Sequence, residues 1–276
     1  MLEAVVNSKP EAGQQTAREY RFVHRAKTGP ALPYHLYLPS QPATPQRVLV
    51  AVHGISRNVE QHLAAMRPWA ERYGVVLILP HYDRCDFRDY QRLGRTDKGA
   101  RADLPLLGVL DEVHAMFGID TRRVGLFGFS GGAQFAHRFA LFHAQRVSRL
   151  GLAAAGWYTW PEPRLDYPLG VGRVTALPGV QMQFDAMLAI PIQVFVGEHD
   201  DQRDRALNTL AAIDRLQGRD RRARAVNWVA AMCDAAAQRA IAADVRLQVL
   251  PRTHHSFRKA VTRGQLIERL FRSFYE

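Results

Sequence analysis

Short runs of aliphatic residues alternate along the chain with stretches of helical period, and this alternation limits the fold more than any other feature. Val48-Leu-Val-Ala-Val52, Val75–Leu79, Val124–Phe129, Leu150–Ala154 and Ile192–Val196 read as strands, continuously apolar as strands covered on both faces must be. Val245–Leu250 reads as the last strand. Between them lie helical patterns. Val59–Tyr73 has Asn58 as N-cap and Gly74 as stop, and Leu106, Leu110, Val113 and Phe117 share one face. Gly132–His143 follows a strand directly, and two further helices are expected near Arg205–Leu216 and Arg221–Ile241 with Gly218 between them. Ile267, Leu270, Phe271 and Phe274 mark a closing helix docked on the core. Two early runs, Glu19–Val23 and Tyr34–Leu38, flank Lys27-Thr-Gly-Pro30 and predict an antiparallel hairpin at a sheet edge. The expectation is an α/β fold, a mostly parallel central sheet with helices on both faces.

At 276 residues, with 47% hydrophobic and 23% charged residues, the chain can bury a large core without staples. No repeat or flexible linker divides it, so residues 1–276 are expected to form one domain. Cys85 and Cys233 are too few for a disulfide framework, and no Cys/His spacing suggests zinc. The opening Met1–Pro10 lacks a basic start followed by an apolar run, and no stretch reaches membrane-spanning length. A cytoplasmic protein with no membrane partner is the expectation.

After the sixth strand, residues 156–187 show no clean period. They are rich in aromatics and prolines: Trp157, Tyr158, Trp160, Pro161, Pro163, Tyr167 and Pro168. So long an irregular insertion predicts a cap, lid or pocket wall, with Trp157, Tyr158 and Trp160 as substrate-binding residues.

Gly128-Phe-Ser-Gly-Gly132 matches G-x-S-x-G. With 20 glycines and seven serines, such a match arises roughly 0.04 times per chain of this composition, so its context must decide. The motif ends a strand and opens a helix, where a sharp turn exposes a serine hydroxyl beside free helix N–H groups. Upstream, strand Val48–Val52 runs into His53-Gly-Ile-Ser-Arg57. The N–H groups of Ile55 and Gly131 are the expected oxyanion donors, with His53 tethering the loop. Downstream, Gly197-Glu-His-Asp200 follows a strand end; Asp200 is the preferred acid, and Asp201 and Asp204 are alternatives that could instead cap a helix. The last strand runs into Pro251-Arg-Thr-His-His-Ser256, where His255 is preferred over His254 as general base. The order is Ser130, Asp200, His255.

With these motifs the chain resembles the α/β-hydrolases, and within them esterases related to polyhydroxybutyrate depolymerases and feruloyl esterases. The resemblance rests on Val52-His-Gly54, Gly128–Gly132, Gly197–Asp200 and Leu250–Ser256, and runs from about residue 20 to the C-terminus. Relatives often carry a glycine just before the histidine motif, where Arg252 and Thr253 stand here. The resemblance implies a serine hydrolase acting on an ester through an acyl-enzyme, needing no metal or organic cofactor. Acyl transfer, amide hydrolysis and oligomer hydrolysis are alternatives on the same residues, and a non-catalytic binding protein is a further one.

A net charge of +11, nearly all of it arginine, bears on partners. Arginines are spread along the chain with no basic tail, so no nucleic-acid partner is expected. Arg57, Arg84, Arg88, Arg92, Arg95, Arg203 and Arg252 fall in loops at the carboxyl ends of strands, where they would favour an anionic ester. The alternative is that they are solvated or paired with Asp83, Asp86, Asp89 and Asp201.

Overall fold

The computed structural model describes residues 16–95, 99–177 and 179–276. Its strands are β1 (Arg18–His24), β2 (Leu32–Leu38), β3 (Arg47–Val52), β4 (Val75–Pro80), β5 (Val124–Phe129), β6 (Val147–Ala153), β7 (Ile192–Gly197) and β8 (Val245–Leu250). All eight lie in one sheet, ordered β1-β2-β4-β3-β5-β6-β7-β8. The β1–β2 hairpin is antiparallel, and so is the β2–β4 pairing; every other neighbour is parallel.

Parallel neighbours need crossovers, and the helices supply them. They are α1 (Val59–Tyr73), α2 (Asp103–Phe117), α3 (Gly131–Phe142), α4 (Phe184–Leu188), α5 (Ala211–Gln217), α6 (Arg221–Ala237), α7 (Phe257–Thr262) and α8 (Leu266–Tyr275). The strands sort their side chains by the period of two. Val48, Val50 and Val52 join one apolar cluster with Leu106 and Leu110 of α2, Phe135 and Phe139 of α3, and Trp228 of α6. Leu49 and Ala51 join the other, with Leu63 and Met66 of α1 and Leu270, Phe271 and Phe274 of α8. The sheet is therefore sandwiched between two apolar layers, as its uninterrupted apolar strands require.

Local signals hold where they are chemical. The Asn58 side chain accepts the Gln61 N–H at 3.3 Å and caps α1. Elsewhere tertiary contacts override periodicity. The helix expected near Arg205–Leu216 starts only at Ala211, because the Asp204 carboxylate takes the N–H groups of Ala206 and Leu207 at 2.8 and 3.0 Å and holds a turn there. Residues 156–187 are largely irregular as expected, apart from α4, whose five residues are too few to display a period.

Two glycines set the approach of α3 to the sheet. A Cβ on Gly132 would stand 2.1 Å from the Val52 carbonyl oxygen, and one on Gly128 would stand 2.1 Å from the Gly132 oxygen. Backbone meets backbone here, so no side chain can move aside. Gly132→Ala is expected to lower stability by about 3 kcal/mol, the upper part of the overpacking range. The measurement is urea unfolding, read as a lower midpoint at unchanged slope.

Candidate active site

The turn from β5 into α3 places Ser130 at φ 54° and ψ −112°, a conformation costly for any residue with a Cβ. Its N–H donates to the Ala153 carbonyl of β6 at 2.7 Å, and its carbonyl accepts the Gln134 N–H at 3.1 Å. These bonds fix the serine between strand and helix. Its Oγ lies 3.0 Å from His255 Nε2.

His255 follows β8, and its ring stacks on Phe129 at a centroid distance of 5.6 Å. Its Nδ1 lies 2.9 Å from Asp200 Oδ2. Asp200 follows β7 and is fully buried. The two loops are pinned together, since the His199 N–H donates to the Thr253 carbonyl at 2.9 Å and a Cβ on Gly197 would meet that same oxygen. The other Asp200 oxygen, Oδ1, has buried Arg221 Nη1 3.5 Å away. Ser130, His255 and Asp200 are thus joined in one hydrogen-bonded line.

The alternative residues lie elsewhere. Asp204 is gripped by both terminal nitrogens of Arg221 at 2.8 Å. Burial, the largest single cause, pushes its carboxyl up, but the Arg221 hydrogen bonds and charge, the Ala206 N–H and His255 together outweigh it and hold the carboxyl below the ordinary range. Asp201 accepts from the Gln202 amide at the surface, and His254 is exposed beside the His199 ring.

The loop after β3 comes to the same place. A Cβ drawn on Gly131 would lie 2.7 Å from Ile55 Cγ2 and from the Tyr90 hydroxyl, and 3.4 Å from the Ile55 amide nitrogen. Gly131 is the first residue of α3, so its N–H has no partner within the helix. His53 is buried and occupied with backbone: Nδ1 donates to the Gly54 carbonyl at 2.8 Å, and Nε2 accepts the Tyr82 N–H at 3.1 Å. It tethers the loop. The Tyr90 hydroxyl adds a second tie, donating to the His53 carbonyl at 2.9 Å.

The aromatic segment is placed less simply. Tyr158 is fully buried, stacked on Trp228 at 4.6 Å, with its backbone clamped at both ends by Gln217. It lies five residues beyond β6 in irregular chain, where residues 154–159 are buried without alternation, so its ring belongs to the core. Trp157 is nearly buried beneath the guanidinium groups of Arg138 and Arg92, and Trp160 is partly buried against the core.

The loop arginines differ in their surroundings: Arg84, Arg88, Arg203 and Arg252 are exposed, and most of the set bind carbonyls or acids of the protein itself. Arg57 donates to the Tyr82 and Phe87 carbonyls at 2.5 and 3.3 Å and lies over the Tyr90 ring; Arg84 reaches the Ile55 carbonyl and Arg88 that of Cys85. Arg95 pairs with Asp89, and Arg203 with Asp214. Among the described residues Asp83 and Asp201 form no close ion pair with an arginine; Asp83 accepts the N–H groups of Cys85 and Asp86. Sequence reasoning overlooked Arg221, Tyr90, Gln134 and Arg138, which lie in stretches without a motif. Away from this site, Glu19, His35 and Glu60 gather ligand atoms within 4.8 Å, but Arg67 and Arg21 pair their carboxylates.

No protein-family model matches the chain, and no curated protein does. Solved structures do match. A poly(aspartic acid) hydrolase from Sphingomonas sp. KT-1 superposes with a TM-score of 0.77 at 23% identity, covering 93% of this chain and 98% of that one. A poly(3-hydroxybutyrate) depolymerase from Bordetella parapertussis gives 0.75 at 24%, covering 95% and 91%. An S-formylglutathione hydrolase from Agrobacterium tumefaciens gives 0.60 at 14%, covering 98% and 99%. The fold of this chain is the α/β-hydrolase fold. Among the described residues, no helix is long and apolar enough to cross a membrane.

Burial, more than any other cause, pushes His53 and His62 down to about 3, and burial followed by the Arg138 charge drives His137 well below its ordinary value. The unfolded chain takes up protons at these rings below about pH 6.5, whereas the folded chain refuses them. Stability therefore falls as pH drops from there towards 3. The expected result is a lower Tm at pH 5 than at pH 7, with uptake of at least about two protons on unfolding at pH 5. Calorimetry in buffers of different ionisation enthalpy measures both quantities.

Proposed function

We propose that the protein is a serine hydrolase of carboxylic esters, with Ser130 as nucleophile, His255 as general base and Asp200 as the acid that orients it. The observation that carries this reading is the unbroken line from Asp200 Oδ2 through His255 to Ser130 Oγ, with spacings of 2.9 and 3.0 Å, at a serine held in a strained turn. A line of this kind is what an acyl-transfer centre needs. Its chain order, Ser…Asp…His, is that of the α/β-hydrolases.

His255 Nε2 takes the hydroxyl proton as Ser130 Oγ bonds to the ester carbonyl carbon. The carbonyl oxygen becomes an oxyanion, and the amides of Ile55 and Gly131 are the donors proposed to hold it. Asp200 keeps the Nδ1 proton in place and stabilises the imidazolium. As the C–O bond to the alcohol breaks, His255 returns its proton to the leaving oxygen. Water then attacks the acyl-serine, giving up a proton to His255, and the acid departs as Ser130 regains its hydrogen.

Trp157, close to the end of β6, is the proposed wall of the substrate pocket. The solved structures similar to this chain include a hydrolase of poly(aspartic acid) and a depolymerase of poly(3-hydroxybutyrate), which makes both short esters and oligomers suitable trials.

The test is hydrolysis of p-nitrophenyl esters together with labelling by a fluorophosphonate. Ser130→Ala is expected to lose labelling and at least about 10³-fold in kcat while unfolding at a similar temperature. Equal hydrolysis by mutant and parent would overturn the reading. Asp200→Asn should lower kcat by up to about 10⁴-fold through the wrong histidine tautomer. Asp204→Asn should act mainly on stability, since that carboxylate holds Arg221; the reverse pattern would transfer the orienting role to Asp204.

A further inference from the structure

Among the described residues three arginines are fully buried: Arg138, Arg221 and Arg224. Two have acid partners. Arg221 binds Asp204 at 2.8 Å, and Arg224 binds Asp214 at 2.7 Å. Arg138 has no carboxylate within ion-pair distance among the described residues. Its Nε donates to Thr159 Oγ1 at 3.1 Å and its Nη1 to the Gln91 carbonyl at 2.6 Å, while the buried Nη2 has no partner. A buried cation left with a free donor is costly, and such groups are normally paired.

The surroundings point to what would pair it. The Arg138 guanidinium carbon lies over the Trp157 ring, 4.2 Å from its centroid, and that of Arg92 lies over the same ring at 5.4 Å. Arg92 Nε, Gln91 Oε1 and Gln134 Oε1 are also buried without hydrogen-bond partners. A half-turn about the terminal bond lets either glutamine present its NH₂ group instead. The neighbouring acid, Asp89, is engaged by Arg95 and lies 3.8 Å from Arg92 Nε. The two guanidinium groups thus share one buried acid, and it is already paired with Arg95. Burial comes first among the causes that bring Arg138 down, to about 10, which leaves it charged at neutral pH.

The cluster also adjoins the reacting serine. Gly131, Gln134 and Arg138 succeed one another on one face of α3, starting beside Ser130, and an arginine on a helix leans back towards the N-terminus. Gln91 and Arg92 directly follow Tyr90, whose hydroxyl abuts Gly131.

We propose that Arg138 and Arg92, with the side-chain amides of Gln91 and Gln134, form a carboxylate-binding subsite over Trp157 that selects substrates carrying an acid group remote from the bond cleaved by Ser130. This rests on the hydrolase reading above and adds the substrate class. With Nε and Nη1 engaged, the N–H groups of Nη2 are left for a carboxylate oxygen, and a bound anion would supply the acceptor they lack.

The test has two arms. In the first, calorimetry measures binding of the α,ω-dicarboxylates from succinate to suberate, with the corresponding diamides as neutral controls. At least one dicarboxylate is expected to bind ten- to a hundredfold more tightly than its diamide, the advantage shrinking with salt and falling at least about tenfold in Arg138→Met. In the second arm, p-nitrophenyl monoesters of the same diacids are compared with the esters of their monoamides. The ratio of kcat/KM should reach about ten or more for one chain length, expressed mainly in KM, and collapse towards one in Arg138→Met. A purely structural Arg138 would lower Tm and leave both ratios intact, which would overturn the proposal. So would equal binding of dicarboxylates and diamides by the parent protein. If Arg138→Met does not fold, Arg92→Met at the partly exposed side of the cluster takes its place, with a several-fold loss expected and an unchanged ratio counting against the subsite. If no ester is turned over, the hydrolase reading fails alone, and the calorimetric arm still decides the subsite.

Discussion

The contact on which everything else depends is that between the first turn of α3 and the ends of β3 and β5. Gly132 lies against the Val52 carbonyl and Gly128 against the Gly132 oxygen, at separations that exclude a Cβ. This close approach forces Ser130 into a left-handed turn, and the turn lifts its hydroxyl towards the loop after β8. The strain, of order 1–3 kcal/mol for such a conformation, is held by bonds on both sides of the serine, to the Ala153 carbonyl of β6 and from the Gln134 N–H of α3. Ser130 is thus positioned by three strands and a helix, not by its own loop.

The acid arm is built on a different principle. Asp200 is fully buried, and its charge is tolerated because His255 meets one oxygen while Arg221 stands 3.5 Å from the other. Arg221 is itself anchored on Asp204, so one buried arginine at the start of α6 braces two acids. The same Asp204 shapes the turn that displaces the start of α5. Geometry at the histidine and the fold of the following crossover are therefore linked through one side chain.

On the other side of the serine, the long segment after β6 is tied down by polar contacts buried beneath it. His137 accepts the Thr159 N–H at 2.9 Å, Trp228 donates to the Thr159 carbonyl at 3.0 Å, and the Tyr167 hydroxyl donates to the Arg92 carbonyl at 2.7 Å. A segment satisfied in this way packs as part of the core. This explains why Tyr158 faces Trp228 and why Trp157 meets arginines instead of open solvent. Against these buried bonds the unpartnered Nη2 of Arg138, with the unpartnered side-chain atoms of Gln91, Arg92 and Gln134 around it, stands out.

The alternation of apolar runs and helical periods was enough to define the sheet and its parallel sense, because strands covered on both faces must be apolar throughout and each crossover needs a helix. The G-x-S-x-G turn was equally legible, since only glycine fits where two backbones touch, and Asn58 marked the start of α1 through its own side chain. Distance between residues remote in sequence is not encoded in any local pattern. Asp200, Asp201 and Asp204 are chemically alike, as are His254 and His255, and only the pinning of the β7 loop to the β8 loop brought one of each within 2.9 Å. The burial of Tyr158, the carbonyl and aspartate partners of the loop arginines, and the unpaired charge of Arg138 were likewise decided by tertiary packing, because a charge or a ring acquires its role from the groups that surround it once the chain has closed.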